Sequence, residues 1–167
     1  MKLMPDYSRT VEVHMDAPPQ QVWDLVSDVT RIGEFSPETF EGRWTRGSTG
    51  PEVGATFAGH VKRNGVGPVY WSPCRVTACT PPGQDIAGPA VFEWTVGTDA
   101  VTVNNWGYEI EPHPEGGSRV RGYFRIEPNL AMKAYWAVMG RARGNTNVQG
   151  MRTTLERMKQ VVERGDA

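Results

Sequence analysis

A chain of 167 residues with 18 Lys and Arg against 19 Asp and Glu carries a formal charge of −1, and no block of like charge interrupts it, which excludes a nucleic-acid footprint and a membrane-surface patch. No apolar run reaches the roughly 18 residues a spanning helix needs, and the start MKLMPDYSRT lacks an apolar signal core, so a cytoplasmic protein without integral membrane association is expected. The length suits one domain over residues 1–167 with a single core.

Arg9 to Met15 alternates, with Val11, Val13 and Met15 on one face and Thr10, Glu12 and His14 on the other, which predicts a half-buried strand. Pro18 and Pro19 open a short helix that buries Val22, Trp23, Leu25 and Val26 and breaks at Ser27 and Asp28. A second short helix, Val29 to Phe35, has to stop before Pro37, because the residue ahead of a proline is pushed out of the helical region.

From Thr39 onward, short runs of strand formers are punctuated by Gly and Pro. Thr39 to Thr45 places Phe40, Gly42 and Trp44 on one face. Gly54 to Asn64 places Phe57, Gly59 and Val61 opposite Thr56, His60 and Lys62. Tyr70 to Thr80 places Cys74, Val76 and Ala78 opposite Arg75, Thr77 and Cys79, with Pro73 marking an edge position or a bulge. Strands at Val91 to Val96, Val101 to Glu111 and Arg119 to Glu127 turn Phe92, Trp94, Trp106, Tyr108, Ile110, Val120, Gly122 and Phe124 inward, and Arg119, Arg121, Tyr123 and Arg125 outward. Residues 129–143 read as a helical section broken near Gly140 and Gly144. Asn145 to Glu163 is the main helix, with Val148, Met151, Leu155, Met158 and Val162 along one side. One strand, two short helices, six strands and a long helix make an α+β chain whose sheet buries its apolar face under the only large helix.

Cys74 and Cys79 fall on opposite faces of one predicted strand and about 16 Å apart along it. A bridge needs alpha carbons within roughly 7 Å, so both are expected as free thiols. No metal-spaced His or Cys cluster accompanies them, and neither a metal nor a cofactor is expected.

The segment TVEVHMDAPPQQVWDLVSDVTRIGEFSPE, the strands TVNNWGYEIEP and SRVRGYFRIEP, and the final GMRTTLERMKQVVE together resemble the SRPBCC superfamily. This is the group of START lipid-transfer domains, the major birch-pollen allergen and the polyketide cyclase/dehydrase and lipid-transport proteins. The A-P-x-x-x-V-W-x-L-x-S-D run and the terminal T-L-x-x-M-K resemble its actinobacterial members. The resemblance implies a helix-grip fold, in which a seven-stranded antiparallel sheet wraps the C-terminal helix and an elongated apolar cavity lies between them. It implies no particular chemistry.

The large inward rings, Trp44, Phe57, Phe92, Trp94, Trp106, Tyr108 and Phe124, are either ordinary core or the lining of such a cavity, with Gly59 and Gly122 leaving room on its floor. Val76 adds to the floor, and Tyr135, Met139, Arg143, Asn147 and Met151 contribute from the C-terminal section. Tyr108 is the best inward candidate for a catalytic proton donor, whereas His14 and His60 face outward and His113 sits in a turn. The expected partner is a hydrophobic small molecule, bound or transported by a monomer or homodimer. A polyketide aromatase/cyclase or dehydratase using cavity Tyr, Arg and Asn groups is the alternative, and a protein-interaction module with a filled core is a third.

Overall fold

The computed structural model describes residues 9–63, 67–83, 87–98, 100–126 and 148–165. Strands β1 (Arg9–Met15), β2 (Thr39–Thr45), β3 (Thr56–Val61), β4 (Tyr70–Thr80), β5 (Ala90–Gly97), β6 (Thr102–Pro112) and β7 (Ser118–Ile126) form one sheet in the order β1-β7-β6-β5-β4-β3-β2. Every pairing is antiparallel. Strands β2 to β7 run as a meander, as their short connections require, and β1 closes the far side by pairing with β7.

Helix α1 (Pro19–Val26) and a 3-10 helix (Val29–Glu34) carry the chain from one edge strand to the other. Pro19 occupies the first helical position, where its fixed φ fits and its missing N–H costs nothing. The Ser27 hydroxyl donates to the Trp23 carbonyl at 2.7 Å and ends α1. Asp28 then caps the 3-10 helix, accepting from the Thr30 N–H at 3.1 Å. The 3-10 helix lies directly on β2, because a side chain at Gly42 would collide with the Val29 carbonyl oxygen.

Helix α2, described over 148–163, buries Met151, Leu155, Met158 and Val162 as the sequence pattern requires. Val161 is buried as well, so the apolar stripe is broader than the narrow line of the sequence reading. Burying each such side chain contributes about 1.5–3 kcal/mol. The end of α2 is tied to the start of the fold: the Asp16 N–H donates to Glu163 Oε1 at 2.8 Å, and Gln21 Nε2 donates to the Val162 carbonyl at 2.9 Å. The seven-stranded antiparallel sheet, the two short helices and the C-terminal helix are the expected helix-grip architecture.

Three details of the strand alternation differ from the sequence reading. A bulge between Thr39 and Glu41 inserts Phe40 as an extra residue, so Phe40 is 49% exposed and packs on the outer His60 ring at 4.4 Å, while Thr39 turns inward. A second bulge between Val76 and Ala78 leaves Thr77 and Ala78 together opposite Glu93 and pairs Cys79 with Phe92. Cys79 therefore shares the inner face with Cys74 rather than opposing it, and both are free. Tyr123 does point outward but is only 6% exposed, because its ring lies across Gly107 and its hydroxyl donates to Glu93 Oε2 at 2.6 Å. Pro73 pairs with Ala58 one residue beyond the β4–β5 ladder, which begins at Cys74.

The outer face carries cross-strand ion pairs: Arg119 with Glu111, and Arg121 with both Glu109 and Glu12. These partly exposed pairs balance the charge of the Arg-rich strand, each worth about 0–1 kcal/mol.

Candidate functional site

Alternation along β3 to β7 directs a set of aromatic rings toward α2. Trp94 and Trp106 are direct cross-strand partners, as are Phe92 and Tyr108. Their ring centroids form a connected series: Phe57 to Trp94 at 6.0 Å, Phe92 to Trp94 at 5.7 Å, and Trp94 to Tyr108 at 5.7 Å. Trp106 leans on Phe124 at 5.1 Å. Aromatic pairs at these separations hold each other in offset and edge-on arrangements, so the wall is stiff.

Between this wall and α2 lies a cavity of about 170 Å³. Of the residues singled out in the sequence, Phe57, Gly59, Trp94, Trp106, Tyr108, Gly122 and Met151 line it. Four others stand behind it or beside it. Val76 and Phe124 are fully packed core, Trp44 supports Phe57 edge-on at 5.9 Å, and Phe92 borders a much smaller gap under α1. Tyr135, Met139, Arg143 and Asn147 lie outside the described residues.

The polar groups of the lining were mostly not anticipated. Ser72 and Cys74 come from β4, Asn104 from β6, Thr154 from α2, Thr39 from the start of β2, and Ser36 and Glu38 from the segment after the 3-10 helix. Asn104 Oδ1 accepts the Trp106 indole N–H at 3.1 Å, which fixes the plane of that ring. Asn104 shares the inward parity of Trp106 and Tyr108, so period-two alternation alone would have found it. Arg63 and Tyr70 flank the β3–β4 connection at the cavity rim, and Arg63 Nε donates to the Tyr70 hydroxyl at 2.7 Å. No sequence signal places these two together, since the contact depends on the register of β3 against β4.

Three titratable groups in the lining are shifted: Tyr108, Cys74 and Tyr123, the last raised by burial and by its hydrogen bond to Glu93. Burial raises the Tyr108 hydroxyl well above its ordinary range, and it has no hydrogen-bond partner among the described residues. It therefore stays protonated at all physiological pH values and can act only as a neutral donor or acceptor. Burial also pushes the Cys74 thiol up to about 12, against a weak opposing contact from the Ser72 carbonyl. A protonated, buried thiol is a poor nucleophile. Among the described residues no histidine lines the cavity, and the one carboxylate in the lining is Glu38, after the 3-10 helix. No group of three or more His, Cys, Asp or Glu side chains among the described residues is arranged to hold a metal ion.

A protein-family model described as polyketide cyclase / dehydrase and lipid transport matches residues 7–163. The chain belongs to this family. No curated protein matches it significantly. Among solved structures, a polyketide-cyclase-like protein from Corynebacterium glutamicum is similar over 96% of this chain and 94% of its own, at 25% identity and a TM-score of 0.62. A protein from Arthrobacter aurescens is similar over 98% and 90% of the two chains, at 17% identity and a TM-score of 0.64. A hypothetical protein from Helicobacter pylori is similar over 93% and 86%, at 12% identity and a TM-score of 0.68. The last two resemblances are of fold. No described helix of this family member is long and apolar enough to cross a membrane.

Proposed function

We propose that this protein binds or transports a hydrophobic small molecule, lipid-like or polyketide-like, in the cavity between the sheet and α2, without transforming it. The observation that carries this reading is the cavity itself, about 170 Å³ walled by Phe57, Trp94, Trp106, Tyr108 and Met151. An engineered apolar cavity of roughly 150 Å³ takes up a benzene ring, so a flat ring system or a short alkyl chain fits the space. Membership of a family whose description includes lipid transport supports the same reading. The reading takes residues 1–167 as one domain, acting in the cytoplasm as a monomer or homodimer. The actinobacterial assignment rests on the A-P-x-x-x-V-W-x-L-x-S-D run and the terminal T-L-x-x-M-K.

Native mass spectrometry of freshly purified protein, followed by organic extraction, tests the proposal. A defined apolar adduct is expected. An empty protein whose tryptophan fluorescence also ignores a panel of lipids and polyketides would overturn it and favour a partner-binding module, against which the open cavity now weighs.

One observation favours a second reading. The Tyr108 hydroxyl sits in the lining without a partner among the described residues. A neutral phenol held at such a place can polarise a ligand carbonyl, as an aromatase/cyclase or dehydratase requires. Tyr135, Arg143 and Asn147 are the further groups the sequence offers to that chemistry. On this reading Tyr108→Phe abolishes turnover of a polyketide substrate while ligand affinity changes little, and undiminished turnover removes Tyr108 from the mechanism.

A further inference from the structure

The lining changes character along its length. Residues Phe57, Gly59 and Val61 of β3 and residues Cys74, Ser72 and Tyr70 of β4 face the cavity in register, running from buried apolar side chains at Phe57 and Cys74 to the 38% exposed Tyr70. At that exposed end stands Arg63. Three other arginines on the sheet surface pair with carboxylates: Arg43 with Glu41, Arg119 with Glu111, and Arg121 with Glu109 and Glu12. Arg63 instead uses its Nε on a neutral phenol and has no carboxylate within ion-pairing distance among the described residues. Its two terminal amino groups have no partner among the described residues and so could serve a ligand. Tyr70 accepts from Arg63, so its own hydroxyl proton is also available to donate. Glu38, the carboxylate in the same lining, has an interaction of its own.

From this arrangement we infer that the ligand is an amphiphile carrying a carboxylate, with its apolar body among Trp94, Trp106 and Tyr108 and its anionic head at the rim against Arg63 and Tyr70. The inference rests on the ligand-binding reading above and adds the charge and orientation of the ligand. A guanidinium fork matches the two oxygens of a carboxylate, and charge-assisted hydrogen bonds of this kind are roughly twice as strong as neutral ones. The phenol beside it supplies a further donor to the same oxygens. A neutral ligand of the same shape would fill the apolar depth but leave the rim donors to water.

The test is a matched pair of probes, 2-naphthylacetate and its primary amide, titrated into the purified protein by isothermal calorimetry and followed by quenching of tryptophan fluorescence. The acid is expected to bind about tenfold more tightly than the amide. In Arg63→Gln that preference is expected to fall to near one through weaker binding of the acid, and Tyr70→Phe should lower it in part. Equal affinities for acid and amide in the unsubstituted protein, or a preference that survives Arg63→Gln, would overturn the inference while leaving the cavity as a ligand site. Failure of both probes to bind would overturn the underlying reading together with it.

Discussion

Replacing Tyr108 with Phe removes one oxygen from the cavity lining and nothing else. Tyr108 is packed against Trp94 and lies above Gly122, and its hydroxyl has no partner among the described residues. A buried hydroxyl left without a hydrogen bond costs the folded state about 1–3 kcal/mol. Tyr108 is half-buried and its hydroxyl borders a cavity wide enough for water, which places the cost at the lower end of that range. Tyr108→Phe should therefore stabilise the free protein by about 1 kcal/mol, or about 2–4 °C in Tm for a chain of this size. Urea unfolding followed by tryptophan fluorescence, with the denaturant slope unchanged, is the assay. A loss of about 1 kcal/mol or more would refute the reasoning, because it would mean that the hydroxyl is already engaged in the free protein. A gain in stability accompanied by weaker binding of carbonyl-bearing ligands would identify the oxygen as one kept for the ligand at a cost to the fold.

Two glycines that look alike in sequence should part in behaviour. Gly42→Ala puts a methyl group 2.1 Å from the Val29 carbonyl oxygen and should cost about 2–4 kcal/mol in urea unfolding, whereas at Gly122 the nearest atoms are 3.6 and 3.7 Å away and alanine should cost less than about 1 kcal/mol. With its thiol pushed up to about 12, Cys74 is only about one part in ten thousand thiolate at pH 8. Burial and then Glu52 raise the half-buried Cys79 thiol as well, so intact-mass measurement with iodoacetamide should show slow modification at Cys79 that still runs ahead of Cys74, and comparable rates at both sites would contradict the burial of Cys74. The Glu163 carboxyl is held below its ordinary range, first by Lys159 and then by the Asp16 N–H. Its contribution to stability is present above the unfolded carboxylate value near about 4.3 and is lost as pH falls through the lower folded value. The stability gap between the protein and Glu163→Gln, followed by urea unfolding from pH 7 to pH 3, should accordingly shrink on the acid side.

The order of elements along the chain and the inward faces of β5, β6 and β7 were legible in the sequence because alternation of period two is a local signal. Trp94, Trp106, Tyr108 and Phe124 each follow from parity alone. The signal fails where one residue is inserted. The bulge at Phe40 and the bulge after Val76 shift parity without altering composition, so Phe40 came out on the wrong face and Cys79 was placed opposite Cys74. Tyr123 was assigned correctly to the outer face, yet its burial depends on Gly107 of the neighbouring strand leaving room for the ring. Parity also separates lining from core poorly. Phe124 and Trp106 both point inward and touch, but only Trp106 reaches the open space, and that distinction is set by where α2 passes over the sheet. The rim pair Arg63 and Tyr70 was invisible for the same reason, because it exists only once β3 and β4 are in register.

The cavity persists because of what surrounds it. Forgoing side-chain packing across a space of about 170 Å³ is a cost to a domain that is typically stable by only about 5–15 kcal/mol. Collapse would remove that cost, but the pieces that would have to move are restrained. The indole of Trp106 is pinned by Asn104, Trp94 is braced between Phe57 and Tyr108, and α2 is fastened at its far end to Asp16 and Gln21. The floor beneath, at Gly59 and Gly122, has no side chains to swing into the gap. A space held open at this expense by rigid rings and glycines, with hydrogen-bond donors gathered at its rim, is better accounted for by an occupant than by imperfect packing. Occupancy should then return a part of that cost as added stability of the complex.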